Sequence, residues 1–571
     1  MAVVFLILKR YMGIKEHNLF MKLKKYHGKE ILEEECAVLE ELEQLIGNRI
    51  YLTENYECEG PAFDAKNHCI IFLALPMCHL KSLPEIIGDL KSLQELDLCG
   101  NRLTSLPNSI NGLKSLKILN LHSNKLTSLP DSIGDLNLLE ELNLNYNQLS
   151  QLPESIGNLI SLNILYLDGN QLSNLPESIG NLTLLSNLTL NNNQLSALPE
   201  SIENLNCLEE LFLSKNQIDS LPKVIKNLKS LLSLHITNSP LSGLPDWLGT
   251  LESLEKLSLS SNNLKTLPES IGDLKSLKYL NLRANKLINL PNSIGNLNSL
   301  ENLDLKSNQI KNLPDSLCNI KSLQELKLNG NQLTKLPECI GNLSNLERIE
   351  LKSNKLTTLP ESIGNLSKID ALDLENNLLL SLPENICNME KLRDLNIKNN
   401  QLTSIPANIG QLKKLQDLNA CNNHLSSLPD SIGELSYLRE LNLSNNQLTS
   451  LPESITDLKL LIELFLNKNN LISLPESIHK LETLEKLEIK ENKLQSLPDT
   501  FGEMGSLRYL YLNNNQLSSL PENFGNLSHL RHVDLNSNKL KLIPASIGEL
   551  KSLDFLILSN NQIEFLPEKY M

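Results

Sequence analysis

The sequence predicts an α/β solenoid, a horseshoe whose concave wall is a parallel β-sheet. Three observations carry that expectation. A 23-residue unit recurs 22 times without an insertion or deletion. Within it, Leu-x-x-Leu-x-Leu alternates apolar and polar residues at the period of a strand with one buried face. Two further residue types keep strict phase. Asn fills 20 of the 22 positions in the series from Cys78 to Asn561, the exceptions being Cys78 and Ser239, and proline fills all 22 from Pro84 to Pro567. A repeat of that constancy means units stacked so that each touches only its neighbours.

In chain order, residues 1–28 read as a flexible basic tail, with Lys and Arg running from Lys9 to Lys25 after an apolar stretch from Ala2 to Leu8. That stretch is too short to span a bilayer, and its basic residues follow it, an order that suits no signal peptide. Residues 29–69 read as an N-terminal cap. From Lys29 to Ile46 the residues Ile31, Leu32, Val38, Leu39, Leu42, Leu45 and Ile46 recur at helical spacing. They lie opposite an acidic face of Glu33, Glu34, Glu40, Glu41 and Glu43, and Gly47 stops the helix. Phe63 to Leu75 reads as two short strands around Lys66-Asn67-His68, the second becoming the first rung. Residues 70–571 are the repeats, whose period and motif are those of leucine-rich repeats.

One rung shows the logic. Leu96 and Leu98 alternate with Glu95 and Asp97 as a strand, and successive strands lie parallel about 4.8 Å apart. Asn101 ends the strand, where an amide that both donates and accepts can satisfy the turning backbone from rung to rung. Leu103 and Leu106 return to the core, Pro107 holds the chain extended, and Ile110 and Leu113 supply a convex-side turn of helix. The residue after the repeat proline is Asp or Glu in 17 of 22 rungs. A carboxylate there favours the positive end of the short helix that it opens. Two rungs depart from the pattern. The eighth has Ser239 for the ladder Asn, adds Pro240 and is followed by Trp247, the single tryptophan; the sixteenth has Ala420 for a core leucine. Drift in one rung explains the eighth most simply. A bend beside a binding surface is the alternative. The chain ends less than one convex segment after Asn561, which predicts an uncovered last strand open to self-association.

Composition narrows the function classes. The net charge of -15 is smaller than the 17 carboxylates the repeat itself places, so acidity is a property of the fold. It counts against nucleic-acid binding, which needs a basic stripe. The ten cysteines are scattered and form no disulfide-dense cap at either end, which predicts a reduced, cytoplasmic protein. No P-loop, zincin, nucleophile-elbow or kinase motif occurs. Cys36, Cys58, His68, Cys69, Cys78 and His79 lack paired C-x-x-C spacing, so neither metal nor other cofactor is expected, and no catalysis.

Function is expected on the strand face, where the repeat leaves residues free. The position between the strand leucines reads Tyr166, Thr189, Phe212, His235 in rungs five to eight. It is polar from Asn281 to Asn442, and then reads Phe465, Glu488, Tyr511, Asp534, Ile557. The neighbouring column adds Tyr279, Tyr509, His532 and Phe555. Exposed aromatics on a rigid sheet resemble interface anchors, although strands favour aromatics in any case. Tyr166, Phe212, His235 and Tyr279 form the favoured partner surface. Phe465, Tyr509, Tyr511, His532 and Phe555 form a second, beside the last rung, that suits self-association or a domain contact. Charges of both signs in the middle rungs, among them Arg283, Lys306, Lys327, Arg348, Lys352 and Lys398 with Asp304, Glu325, Glu350 and Asp373, are expected to satisfy one another.

The segment Leu-Pro-Glu-Ser-Ile-Gly-Asn-Leu joined to Leu-x-x-Leu-x-Leu-x-x-Asn-x-Leu, clearest at 152–170 and 359–377, resembles the intracellular Ras-group leucine-rich repeats. That group holds the scribble and erbin, Ras-suppressor and plant intracellular types, and similar arrays occur in bacteria and archaea. The resemblance covers about residues 70–571. It implies a non-enzymatic cytoplasmic scaffold or adaptor in signalling, with a small GTPase or a phosphatase as protein partner. The family's phosphatase-docking motif, a basic residue before Val/Ile-x-Phe, is not matched: Val3-Val4-Phe5 lacks the basic residue and Ile70-Ile71-Phe72 belongs to the first rung. Two alternatives remain: the recognition half of an enzyme or GTPase system whose catalytic domain lies elsewhere, and an effector acting on a host protein.

Overall fold

The computed structural model describes residues 22–53 and 60–565. The chain divides into two compact units, Met1–Ile218 with Pro222–Leu231, and Asp219–Leu221 with Leu232–Met571. Each is a leucine-rich repeat solenoid.

The first unit opens with an antiparallel hairpin, β1 (Leu23–Tyr26) and β2 (Lys29–Leu32), followed by α1 (Glu33–Ile46). The hairpin corrects two expected boundaries. Leu23–Tyr26 falls in the stretch read as a flexible tail, and the helix begins at Glu33 instead of Lys29 because Lys29–Leu32 pairs with that strand. The rest of the tail, up to residue 21, lies outside the described residues. Helix α1 buries Val38, Leu39 and Leu42 as its spacing requires and ends where Gly47 adopts a left-handed φ of 65°, its N–H donating to Glu43 O. Leu45, expected on the apolar face, is exposed.

Strands β3 (Tyr51–Leu52), β4 (Ala62–Lys66) and β5 (Cys69–Ala74) then lead into the rungs. β4 and β5 pair antiparallel around Asn67 and His68, whose φ values of 53° and 68° make the left-handed two-residue turn that suits a hairpin. β5 pairs parallel with β6 (Glu95–Asp97), so the cap passes directly into the first rung. The sheet continues in parallel through β7 (Ile118–Asn120), β8 (Glu141–Asn143), β9 (Ile164–Tyr166), β10 (Asn187–Thr189) and β11 (Glu210–Phe212). The second unit repeats this from β12 (Ser233–His235) to β26 (Phe555–Ile557). Each partner is 23 residues on, as in Leu165 against Leu188 and Leu188 against Leu211. From β6 to β25 the middle residue of each three-residue strand is buried and the outer two point to the open face; in β26 the middle residue, Leu556, is half-buried.

The asparagine column behaves as its chemistry requires. Asn308 Nδ2 donates to Leu282 O of the preceding rung at 2.9 Å and to Leu305 O of its own at 3.1 Å, while Oδ1 accepts from Leu287 N at 3.0 Å. The backbone turn is thereby satisfied on both sides with no charge buried. The eighth rung keeps a shifted version. Asn262 Oδ1 accepts from Ser239 N, 23 residues back, where regular rungs use the residue 21 back. Trp247 is half-buried in the turn Asp246–Thr250. Ala420 is buried and its N–H donates to Asn442 O, like its neighbours in the column.

The opposite side is built from 3-10 turns, such as Glu154–Asn158, entered through an extended proline and closed by Leu159 N–H on Ile156 O. The carboxylates after the prolines sit in the first turn, as expected, and do more: Glu85, Glu154, Glu177 and Glu269 accept from the backbone N–H of Ser109, Ser178, Ser201 and Ser293 in the next rung. They tie rungs together at the positive end of the following turn. These turns also touch closely: a Cβ on Gly157 would lie 2.3 Å from Ser178 O. Four turns are shortened, Ile340–Asn342, Ile409–Gln411, Ile478–Lys480 and Phe501–Glu503. Each follows a rung with Cys318, Cys387, Thr456 or His479 at the glycine position. Asn111, Glu203 and Lys226 also replace that glycine, but their side chains lean outward and the next turn keeps its full length. Cys318 forms a disulfide with Cys339, the serine position of the next rung; the scatter of cysteines carries no signal for that pair.

Candidate protein-binding surface

On three-residue strands, two side chains per rung reach the open face, and their register fixes which can meet. Tyr166, Thr189 and Phe212 stand opposite one another on β9, β10 and β11, so Tyr166 and Phe212 flank a buried threonine. Burial pushes the Tyr166 phenol up, helped by Glu141 and Glu210. His235 and Tyr279, read with them as one surface, belong to the second unit. His235 Nε2 lies 2.9 Å from Ser233 Oγ, and burial, then the charge of Lys256, lowers its pKa. Tyr279 stands one column away, beside Lys256 and Asn302.

The second set is brought together. Tyr511 and His532 have ring centroids 5.0 Å apart, and His532 and Phe555 5.6 Å apart, a continuous run over β24 (Tyr509–Tyr511), β25 (His532–Asp534) and β26. Lys490 Nζ sits 4.1 Å from the Tyr511 ring centre and Lys486 Nζ 4.6 Å from that of Phe465. Both lysines also reach Glu488, Lys486 at 3.0 Å and Lys490 at 3.3 Å. Burial works to raise the Glu488 pKa, but hydrogen bonds from Asn467 and Lys486 outweigh it and hold the carboxyl below its ordinary value. Phe555 is 63% exposed and Tyr509 39%. A pair that the column reading passed over is half-buried His122 with exposed Tyr146, 5.3 Å apart and edge to face. Its signal in the sequence is an aromatic in the column of positive φ, where most rungs carry Gly, Ser or Asn.

The middle charges pair off: Lys306 and Arg348 with Glu350 at 2.6 and 2.9 Å, and Lys352 and Lys398 with Glu375 at 2.6 and 3.7 Å. Among the described residues no group of His, Cys, Asp and Glu could hold a metal ion, and no helix is long and apolar enough to cross a membrane.

Profiles described as leucine-rich repeat region match residues 68–147, 180–269 and 261–355, and those described as leucine rich repeat match 337–379, 413–471, 463–517 and 520–563. The chain belongs to the leucine-rich repeat family. A leucine-rich repeat protein of Leptospira interrogans is similar at 39% identity, over 65% of this chain and 95% of that one, with a TM-score of 0.56. The Arabidopsis receptor kinase HAESA, solved with the peptide hormone IDA and the co-receptor SERK1, is similar at 31% identity over 89% of each chain, TM-score 0.64. YopM of Yersinia enterocolitica is 30% identical over 81% of this chain and 91% of its own, TM-score 0.59. A comparison with curated proteins returns no match. Leucine-rich repeat domains generally mediate protein–protein binding and are typically non-enzymatic.

Proposed function

We propose that this chain is a non-enzymatic protein-binding scaffold or adaptor that captures its partner on the open face of the sheet. The observation that carries this reading is the continuous aromatic run Tyr511–His532–Phe555, solvent-facing on consecutive strands of a rigid sheet. Tyr and other aromatics so placed present large apolar area at small entropic cost. Tyr166 and Phe212, the surface favoured by the sequence, are kept apart by Thr189, so we assign them the lesser share. The resemblance to Ras-group repeats supports a cytoplasmic role in signalling, with a small GTPase or phosphatase among the partners to be tried first.

The test is capture by the intact chain, followed by mass spectrometry and sedimentation. Tyr511→Ala with Phe555→Ala is expected to abolish capture without changing the oligomeric state, while Tyr166→Ala with Phe212→Ala weakens it less. Loss of self-association with capture intact would make the aromatic run a contact between copies.

A further inference from the structure

Of the acidic side chains facing out from this sheet, Glu325, Glu350 and Glu488 each have a cation within 4 Å, whereas four that stand in register on consecutive strands do not. Asp394, Asp417, Glu440 and Glu463 stand in register on four consecutive strands, β19 (Asp394–Asn396), β20 (Asp417–Asn419), β21 (Glu440–Asn442) and β22 (Glu463–Phe465). Like charges placed directly opposite on neighbouring strands destabilise a sheet. Their strain shows in the titration. Asp394 is held above the ordinary carboxylate range by burial and then by Asp417, and Glu440 by burial and then by Glu463. Among the described residues none of the four has a Lys, Arg or His nitrogen within 4 Å, whereas Glu350, Glu375 and Glu488 nearby each have two. Nor do they converge on a point that would hold a metal ion. They form a stripe about 14 Å long at the strand spacing.

The stripe does not end in neutral surface. In the same column the next residues are Lys486, Tyr509, His532 and Phe555, and alongside lie Phe465 and Tyr511. A line of four carboxylates in register thus runs to Lys486, which offsets part of the charge at the Glu463 end, and then into the aromatic run. From β19 to β26 the distance is about 34 Å, the reach of about ten residues of extended chain.

We propose that the stripe and the aromatic run form one docking surface for a cationic peptide segment. Its Lys or Arg side chains lie along Asp394–Glu463, and an aromatic or aliphatic side chain rests on Tyr511–His532–Phe555. This deepens the scaffold reading and rests on it. The acidic half sets orientation and speeds encounter, and the aromatic half supplies the contact that survives at high salt.

The probe is a fluorescein-labelled peptide of about ten residues with alternating lysines at one end and a tryptophan at the other, made in both orders. Binding is read by anisotropy on the intact chain. Wild type is expected to bind one order in preference and to reject the same peptide with glutamates for lysines. Asp417→Asn with Glu440→Gln should weaken binding about tenfold and flatten its salt dependence, since two charge pairs are removed. Melting of that variant should be unchanged or higher, because a repulsion has been relieved. Tyr511→Ala with Phe555→Ala should also weaken binding about tenfold but leave the salt dependence intact. The proposal is overturned if the amide variant binds like wild type, if the glutamate peptide binds equally, or if lysines without the tryptophan bind as tightly. If the amide variant still captures a protein from a lysate that the aromatic variant does not, the scaffold reading stands and the cationic-segment inference falls.

Discussion

Every regular rung meets its inward-turning backbone with an asparagine, whereas the cap meets its own with a carboxylate. Asn308 serves four backbone groups and carries no charge. In α1, Glu35 is 2% exposed and its Oε2 accepts from Ile70 N at 2.7 Å, beside the irregularity where β4 and β5 lose their regular pairing. The amide solves the problem at any pH. The carboxylate solves it only against a desolvation penalty, and burial pushes Glu35 up to about 7. A repeating problem is thus answered by a group that does not titrate, and the non-repeating end holds the titrating one.

The largest effect that would sharpen this contrast is expected at the ladder. Asn308→Ala leaves Leu287 N without its partner and takes from Leu282 O and Leu305 O one of the two amide donors that each accepts, Asn285 and Asn331 keeping the others, and should cost about 3 to 4 kcal/mol in a denaturant melt. A loss below about 1 kcal/mol would mean that water replaces the amide.

The cap comes next. The unfolded side chain releases its proton near 4.5, and folded Glu35 near 7. The folded state therefore holds a proton that the unfolded state has lost, and stability falls as pH rises from about 4.5 to about 7, then levels off. The fall should reach about 3 kcal/mol. Glu35→Gln keeps an acceptor for Ile70 N and should flatten that slope while leaving the ladder variant's cost unchanged. An identical slope in wild type and Glu35→Gln would place the titrating group elsewhere.

A smaller loss is expected on the turn side. Gly157→Ala puts a Cβ against Ser178 O and should cost about 2 kcal/mol, measured by thermal melting. The rung must shift as it does after Cys387 or Thr456, and a neutral result would show that the turns slide freely. The smallest change is expected at the irregular rung. Because Asn262 already takes Ser239 N, restoring the consensus with Ser239→Asn should move stability by less than about 0.5 kcal/mol. A clear loss would show that the eighth rung has a geometry of its own, against the drift reading.

The fold was legible because the period forces it. Strand leucines, the Asn column and the Lys66-Asn67-His68 turn each obey a local rule that one rung displays and the rest repeat. What the sequence hid depends on contacts between rungs or on a single site. The post-proline glutamates serve the next turn because parallel stacking brings its free N–H groups within reach, which no single rung reveals. Leu23–Tyr26 is a strand only because Lys29–Leu32 pairs with it. Glu35 looks like one more surface glutamate until Ile70 N is found beside it. On the open face the aromatic columns could be counted, but their continuity could not. Thr189 divides Tyr166 from Phe212, whereas Tyr511, His532 and Phe555 close into one run across a change of column.

Side-chain oxidation footprinting of the intact chain, free and with its captured partner, tests the central claim most directly. The account predicts protection of Tyr509, Tyr511, His532 and Phe555, with Ile160, Leu184 and Leu542, which are exposed away from the strand positions, oxidised as before. Protection of those three with the aromatic run left reactive would contradict it.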